Sequence, residues 1–296
     1  MTDDIKFTVA NYSFLTQSLE RVEDFNNFMI ERHNIFIKKE LNNDPYPWSD
    51  DAILTEYSFC NVYRELDRVT IWIRENWREP HADHPNLPFA MAMARQINWP
   101  PTLEAIGFPD TFDAERIKSI MKERKDKGEK VYTGAYMLTG TLGGTKIEQT
   151  VDKILTPLYA NSHGDFDFSS IENCWKSFLP YPGFSDFMSY EVVTDLRHTK
   201  WLRNAPDIMT WANPGPGAMR GLNRIFGRPL DSKQKKPLFI EEMRDLLALL
   251  NNTPLPLEMR DIEHCLCEFD KYERTRLGQG RPRSRYKPRE YEEDIL

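Results

Sequence analysis

Four cysteines occur in 296 residues, Cys60, Cys174, Cys265 and Cys267, and no two of them form a Cys-x-x-Cys pair. That spacing excludes a zinc ribbon and a thioredoxin-type redox motif. Reduced core thiols in a cytosolic protein are the expectation. Long apolar runs are missing too, so no segment reaches the length of a membrane span. The opening residues Met1-Thr-Asp-Asp-Ile-Lys lack the basic-then-apolar order of a signal peptide. No membrane partner and a cytoplasmic place of action follow as expectations. An excess of positive charge is absent: 39 Lys and Arg face 46 Asp and Glu, for a net charge of −7. The chain as a whole is therefore not a basic nucleic-acid binder, and any such docking must use local patches. A Walker-type phosphate loop is missing as well. The glycine-rich stretch Thr139-Gly-Thr-Leu-Gly143-Gly144-Thr145-Lys146 does not follow G-x-x-x-x-G-K-[S/T], because Thr145 precedes the lysine and Ile147 follows it.

What is present is helical. Hydrophobic residues make up 40% and aromatics 12%, a globular composition. Apolar residues recur at helical spacing over 14–42, 89–97, 113–127, 146–159, 166–179 and 239–250. Ser49 or Asp50 is the expected cap of a helix after the Pro45-Tyr-Pro-Trp48 turn. Asn61, Arg64 and Arg68 are spaced to share one helical face, and Asp67 lies three residues after Arg64. Val131 to Leu138 is the one β-like run. His81, Asp83 and His84 sit on a proline-rich loop with no third partner nearby, which is a poor metal site. No metal and no cofactor is implied. A mainly α, multi-helix domain over 1–275 with a basic, then acidic, tail over 276–296 is expected.

The stretch from Trp175 to Arg228 holds two glycine turns that each open a helix. Leu179-Pro-Tyr-Pro-Gly183-Phe-Ser185 has the shape of a helix-hairpin-helix, whose turn amides hold a DNA phosphate without reading sequence. Asn213-Pro-Gly215-Pro-Gly217 opens the second helix. Gly183, Ser185, Gly215 and Gly217 are thus candidate DNA contacts. Arg281, Arg283 and Arg285, in a tail rich in arginine, are further ones. Near the C-terminus, His264, Glu268 and Lys271 are spaced at i, i+4 and i+7 and share a face, with Asp270 on another. A histidine beside a carboxylate is a usable general base, and a lysine can hold a leaving phosphate.

Five short motifs in order carry a family resemblance: Asn61-Val-Tyr-Arg64-Glu-Leu-Asp67-Arg68, Thr133-Gly-Ala-Tyr136, Pro182-Gly-Phe, Asn213-Pro-Gly-Pro-Gly-Ala and Glu263-His-Cys-Leu-Cys-Glu-Phe-Asp270-Lys271-Tyr272. Over roughly residues 20–290 the chain resembles the α-glutamyl/putrescinyl thymine pyrophosphorylase family, and equally the helical domain that accompanies phage 5-hydroxymethyluracil DNA kinases. The resemblance implies a helix-hairpin-helix, DNA-glycosylase-like architecture. It also implies work on phage DNA in an infected bacterial cell. With no Walker loop, the pyrophosphorylase arm is the expectation: transfer of an amino acid such as glycine, or of a polyamine, onto the 5-methylene of phosphorylated hydroxymethyluracil in double-stranded DNA. Arg64, Arg220 or Lys271 would then stabilise the leaving group, His264 or Glu268 would take the amine proton, and Arg68 would clamp a carboxylate. Asn61, Asp67 and Tyr136 complete the expected substrate pocket. Asn213 stands where a glycosylase of this architecture carries its aspartate, which argues against hydrolysis. Two rivals stay open. One is a DNA glycosylase acting on a modified base. The other is a non-catalytic DNA-binding helical module partnering a 5-hydroxymethyluracil DNA kinase.

Overall fold

A computed structural model describes residues 12–133, 142–161, 166–250, 256–282 and 284–286. In chain order the helices are α1 (Tyr12–Phe36), α2 (Ala52–Glu56), α3 (Arg68–Ile73), α4 (Leu87–Ile97), α5 (Pro100–Ile106), α6 (Ala114–Asp126), α7 (Lys146–Glu148), α8 (Thr156–Asn161), α9 (Ile171–Phe178), α10 (Asp186–Leu196), α11 (Pro216–Ile225), α12 (Lys236–Leu250) and α13 (Met259–Arg276). A wide π-type turn over Gln149–Leu155 joins α7 to α8. The fold is mainly α. Among the described residues the extended pairing is confined to a single antiparallel bridge between Tyr57 and Arg285. No described helix is long and apolar enough to cross a membrane. The β-like run from Val131 lies largely outside the described residues.

Side-chain caps set several helix starts. Asp51, rather than Ser49 or Asp50, caps α2: its Oδ1 accepts the Ile53 and Leu54 amides at 2.8 and 2.9 Å. Asp113 caps α6 through the Arg116 amide, and Thr145 with Glu148 forms a capping box at α7. Proline occupies the first turn of α4, α5 and α11, where its missing N–H leaves no bond unmade.

Two sequence expectations fail locally. Residues 166–170 are not helical, and α9 begins at Ile171, capped by Ser170. The expected helical face through Asn61, Arg64 and Arg68 does not form. The chain is irregular from Ser58 to Tyr63, makes a short 3₁₀ turn over Arg64–Leu66, and becomes α-helical only at Arg68. Tertiary bonds satisfy the backbone that a helix would have paired internally. Arg32 Nε donates to the Phe59 carbonyl at 3.0 Å. The Cys60 amide donates to the Glu268 carboxylate at 3.0 Å. The Ser58 amide donates to the Ser284 carbonyl at 3.1 Å.

Contacts divide the chain into two compact units, one from the N-terminal region to Arg64 together with Pro214 onward, the other Glu65–Asn213. In the first, Phe25, Phe28, Phe59 and Phe269 form an aromatic core, with the Phe25 and Phe269 rings 5.3 Å apart and those of Phe28 and Phe59 5.8 Å apart. Helices α11 and α13 lie flush against each other there. A Cβ on Gly221 would collide with the Leu266 carbonyl, and one on Gly217 with Cys267 Sγ. In the second unit every residue of α4 is buried, Arg95 included. Arg95 Nε and Nη2 donate to the two carboxylate oxygens of Asp195 on α10, both at 2.6 Å. Thr70 Oγ1 and Asn98 Oδ1 accept from the same guanidinium at 2.9 and 3.3 Å. This fully enclosed ion pair ties α10 to α4.

Candidate functional site

In the second unit, a short turn through Gly183 joins α9 to α10. α9 ends at Phe178. The Tyr181 amide donates to the Phe178 carbonyl at 3.0 Å, and the Phe184 amide to the Tyr181 carbonyl at 3.2 Å. Gly183 has φ +79°, and a Cβ there would fall 2.5 Å from Ile154 Cδ1, so glycine is required twice over. Gln96 Nε2 donates to the Gly183 carbonyl at 3.0 Å and turns that oxygen inward. Phe184 is buried, while Gly183 and Ser185 are exposed. Their two amides have no hydrogen-bond partner among the described residues. Ser185 is the N-cap of α10, and its side chain makes no capping bond. The positive end of the α10 dipole thus emerges beside two available N–H groups. The Asp186 carbonyl accepts from Trp175 Nε1 at 2.9 Å and from Asn213 Nδ2 at 3.0 Å, which fixes where the helix starts. Asn213 is buried, and its Oδ1 accepts no hydrogen bond among the described residues. Its amide braces the hairpin.

The histidines of the proline-rich loop have ordinary structural partners. His81 Nδ1 bonds the Trp77 carbonyl at 3.0 Å and its ring stacks on Phe108 at 3.7 Å. His84 Nδ1 accepts the Asn86 amide at 3.2 Å.

In the first unit the second glycine turn is taken up internally. The Gly215 amide donates to Glu263 Oε1 at 3.1 Å, and Gly217 lies against Cys267. One side of α13 carries the expected His264, Glu268 and Lys271. Glu268 is buried and accepts the Cys60 amide, and Lys271 Nζ donates to both of its oxygens at 2.7 Å. Burial works to raise the Glu268 pKa, but the charges of Lys271 and His264 and the Cys60 amide outweigh it, and its pKa lies below the usual carboxylate value. Burial likewise works to lower the Lys271 pKa, and Glu268 more than reverses it, so that it lies above the ordinary lysine value. Burial pushes the neighbouring Cys267 thiol up to about 12, which makes it unreactive near neutral pH.

Another side of α13 carries Asp270, 1% exposed. Arg220 Nε and Arg224 Nε, both from α11, donate to its two oxygens at 2.8 Å each. Arg224 stands one helical turn after Arg220, a spacing readable in the sequence but not singled out there.

The remaining expected residues are dispersed. Asn61 lies on the irregular segment and Arg64 opens the 3₁₀ turn, buried. Asp67 is the N-cap of α3 and makes no side-chain capping bond, and Arg68 opens that helix, exposed. Arg281 is exposed. Arg285 is held against Glu56 at 3.2 Å, with its guanidinium 5.6 Å from the Tyr57 ring. Tyr136 and Arg283 lie outside the described residues.

Comparison with known proteins changes the functional expectation. The family described as 5-hmdU DNA kinase, helical domain, matches residues 19–281. A protein described as 5-hmdU DNA kinase, from Bacillus phage SP10, is 29% identical over 223 residues, 67% of this chain and 35% of the relative. The chain therefore spans about a third of the length of the curated relative it matches. No solved structure matches. The family match overturns assignment to the pyrophosphorylase arm, and with it the expected amino acid:DNA transferase and the pocket for a free amino acid or polyamine. Of the two arms that the motifs resembled equally, the kinase-associated one is correct, and the chain belongs to the helical-domain family of 5-hmdU DNA kinases.

Proposed function

We propose that this chain is the DNA-engaging module of a system that phosphorylates 5-hydroxymethyluracil in double-stranded phage DNA, and that it partners the phosphorylating activity. Phosphorylating a base in a duplex makes two demands: the duplex must be held, and the phosphate donor must be cradled. The chain has a device suited to the first and no Walker loop for the second. In this reading the α9–α10 pair is a helix-hairpin-helix of the kind found in DNA glycosylases. It grips the backbone without reading sequence, so selection of the modified base falls to other contacts.

The observation that carries the reading is the hairpin at Gly183. Its turn is locked from inside by Ile154 and Gln96, and it presents the Gly183 and Ser185 amides outward. The direct test is Ser185→Asp. Aspartate is a good N-cap and favours the helix dipole, so the fold should be kept or stabilised by about 0.5 kcal/mol. The added carboxylate repels a phosphate at the same place, and affinity for duplex DNA should fall about tenfold at moderate salt, whatever the sequence. An intact Ser185→Asp protein with unchanged affinity removes the hairpin from the interface. A wild-type chain that binds no DNA refutes the proposal.

A further inference from the structure

The first unit carries an arginine cluster that its own carboxylates do not use up. Asp270 is the buried carboxylate at its centre, and two guanidinium groups share it. Arg224 is buried and spends Nε on Asp270 and Nη2 on Gln279 Oε1 at 2.9 Å. Arg220 differs. It gives Asp270 only its Nε, its side chain is 39% exposed, and its two terminal amino groups have no partner among the described residues. Asp270 thus aims the open edge of Arg220 at solvent.

A third arginine joins them. Arg274 lies four residues after Asp270 on α13, on the same side of the helix. Its Cδ packs over Gly280, where a Cβ would lie 3.2 Å away. Its backbone carbonyl accepts the amide of Gln279, the residue that Arg224 grips, at 2.7 Å. Arg274 Nε is buried and unpaired, and the residue makes no ion pair among the described residues. Arg21, exposed on α1, donates to the Arg224 carbonyl at 3.1 Å and adds a fourth positive charge. Arg276, two residues beyond Arg274, is a contrast. Glu273 binds it through two bonds of 2.6 and 2.8 Å.

We propose that Arg220 and Arg274, set around Asp270 with Arg224 as support, form a phosphate clamp for the DNA backbone. An arginine already oriented through Nε presents its two terminal amino groups as a ready fork for phosphodiester oxygens. The excess of guanidinium over carboxylate supplies the charge complementarity, on a chain whose net charge is −7. The clamp rests on the reading that this chain engages DNA, and it is independent of the hairpin in the other unit.

The test is the salt dependence of duplex binding by the full chain and by Arg220→Gln, Arg274→Gln, the double variant and Arg276→Gln. Each lost phosphate contact should lower the slope of log affinity against log salt by about 1, and the double variant should lower it by about 2 and weaken binding about tenfold or more, equally for all sequences. Arg276→Gln should leave the slope unchanged. Arg274 makes no ion pair among the described residues, so Arg274→Gln stays informative if Arg220→Gln unfolds, which thermal melting reports. A double variant, or Arg274→Gln alone in that event, with wild-type slope and affinity overturns the clamp. If such a variant is still weakened by Ser185→Asp, the hairpin reading survives. A wild-type chain that binds no duplex overturns both.

Discussion

Asp195 and Asp270 are both buried carboxylates held by arginine, one in each unit, and they are built for different ends. Asp195 is gripped through both carboxylate oxygens by Arg95, which is 2% exposed and spends Nε, Nη1 and Nη2 inside the protein. Asp270 is held by two arginines, and the side chain of one of them, Arg220, is 39% exposed. A closed pair holds helices together and offers nothing to a ligand. An open pair sacrifices some internal satisfaction and leaves a charged fork outside. The difference lies in the exposure of the second partner, because both carboxylates are equally enclosed.

The comparison breaks first at Asp195. Asp195→Asn leaves Arg95 charged and enclosed, and should cost about 3–5 kcal/mol in urea unfolding. The paired replacement Arg95→Met with Asp195→Leu removes both charges and should cost far less. A single variant no worse than the pair would show that the charges do not hold α4 to α10. Asp270→Asn should be milder, about 2 kcal/mol, because Arg220 can turn to water. It should also weaken DNA binding, since Arg220 loses its aim. A loss of stability as large as that at Asp195 would erase the distinction between closed and open pairs.

Glu268→Gln should cost about 1–2 kcal/mol near neutral pH by stranding Lys271. The pH dependence has a definite sign. The folded pKa of Glu268 is lowered, so its contribution is present above the unfolded carboxylate value, about 4.3, and is lost as pH falls through the folded pKa. The folded pKa of Lys271 is raised, so its share is present below about 10.4 and is lost as pH rises through the folded value. Melting temperatures of wild type and Glu268→Gln should therefore converge in acid. A gap that persists at low pH would mean that the carboxylate charge is not what Lys271 needs. The smallest change in stability belongs to Arg220→Gln, under about 1 kcal/mol, because Arg220 itself is 39% exposed and Arg224 still covers Asp270.

Much of the helix layout was legible because it is local. Thr145 with Glu148 and Asp113 mark helix starts, and the Pro-Gly turn before Ser185 marks the hairpin. The side shared by His264, Glu268 and Lys271 follows from spacing alone, and the Glu268–Lys271 contact forms as that spacing allows. Long-range partners carried no such signal. Arg95 stands in a helix whose other residues, Gln96 apart, are apolar, and its partner Asp195 is 100 residues away. The periodicity of Asn61, Arg64 and Arg68 imitates a helical face, yet the segment is held by Arg32, Glu268 and the chain near Ser284. Gly215 looked like an open phosphate nest, but Glu263, nearly fifty residues later in the sequence, takes its amide. The ordered motifs led to the hydroxymethyluracil system and equally to both of its arms. The missing Walker loop describes only this chain's own residues and does not select amine transfer.

The central claim is that this chain holds duplex DNA through its backbone, and an equilibrium titration of the full chain with a hydroxymethyluracil-containing duplex tests it most directly, run from about 50 to about 200 mM salt. Binding should weaken steeply with salt, and Ser185→Asp and the Arg220→Gln, Arg274→Gln double variant should each impair it without loss of fold. Absence of binding at the lowest salt, or affinity indifferent to salt and to both variants, would contradict the claim.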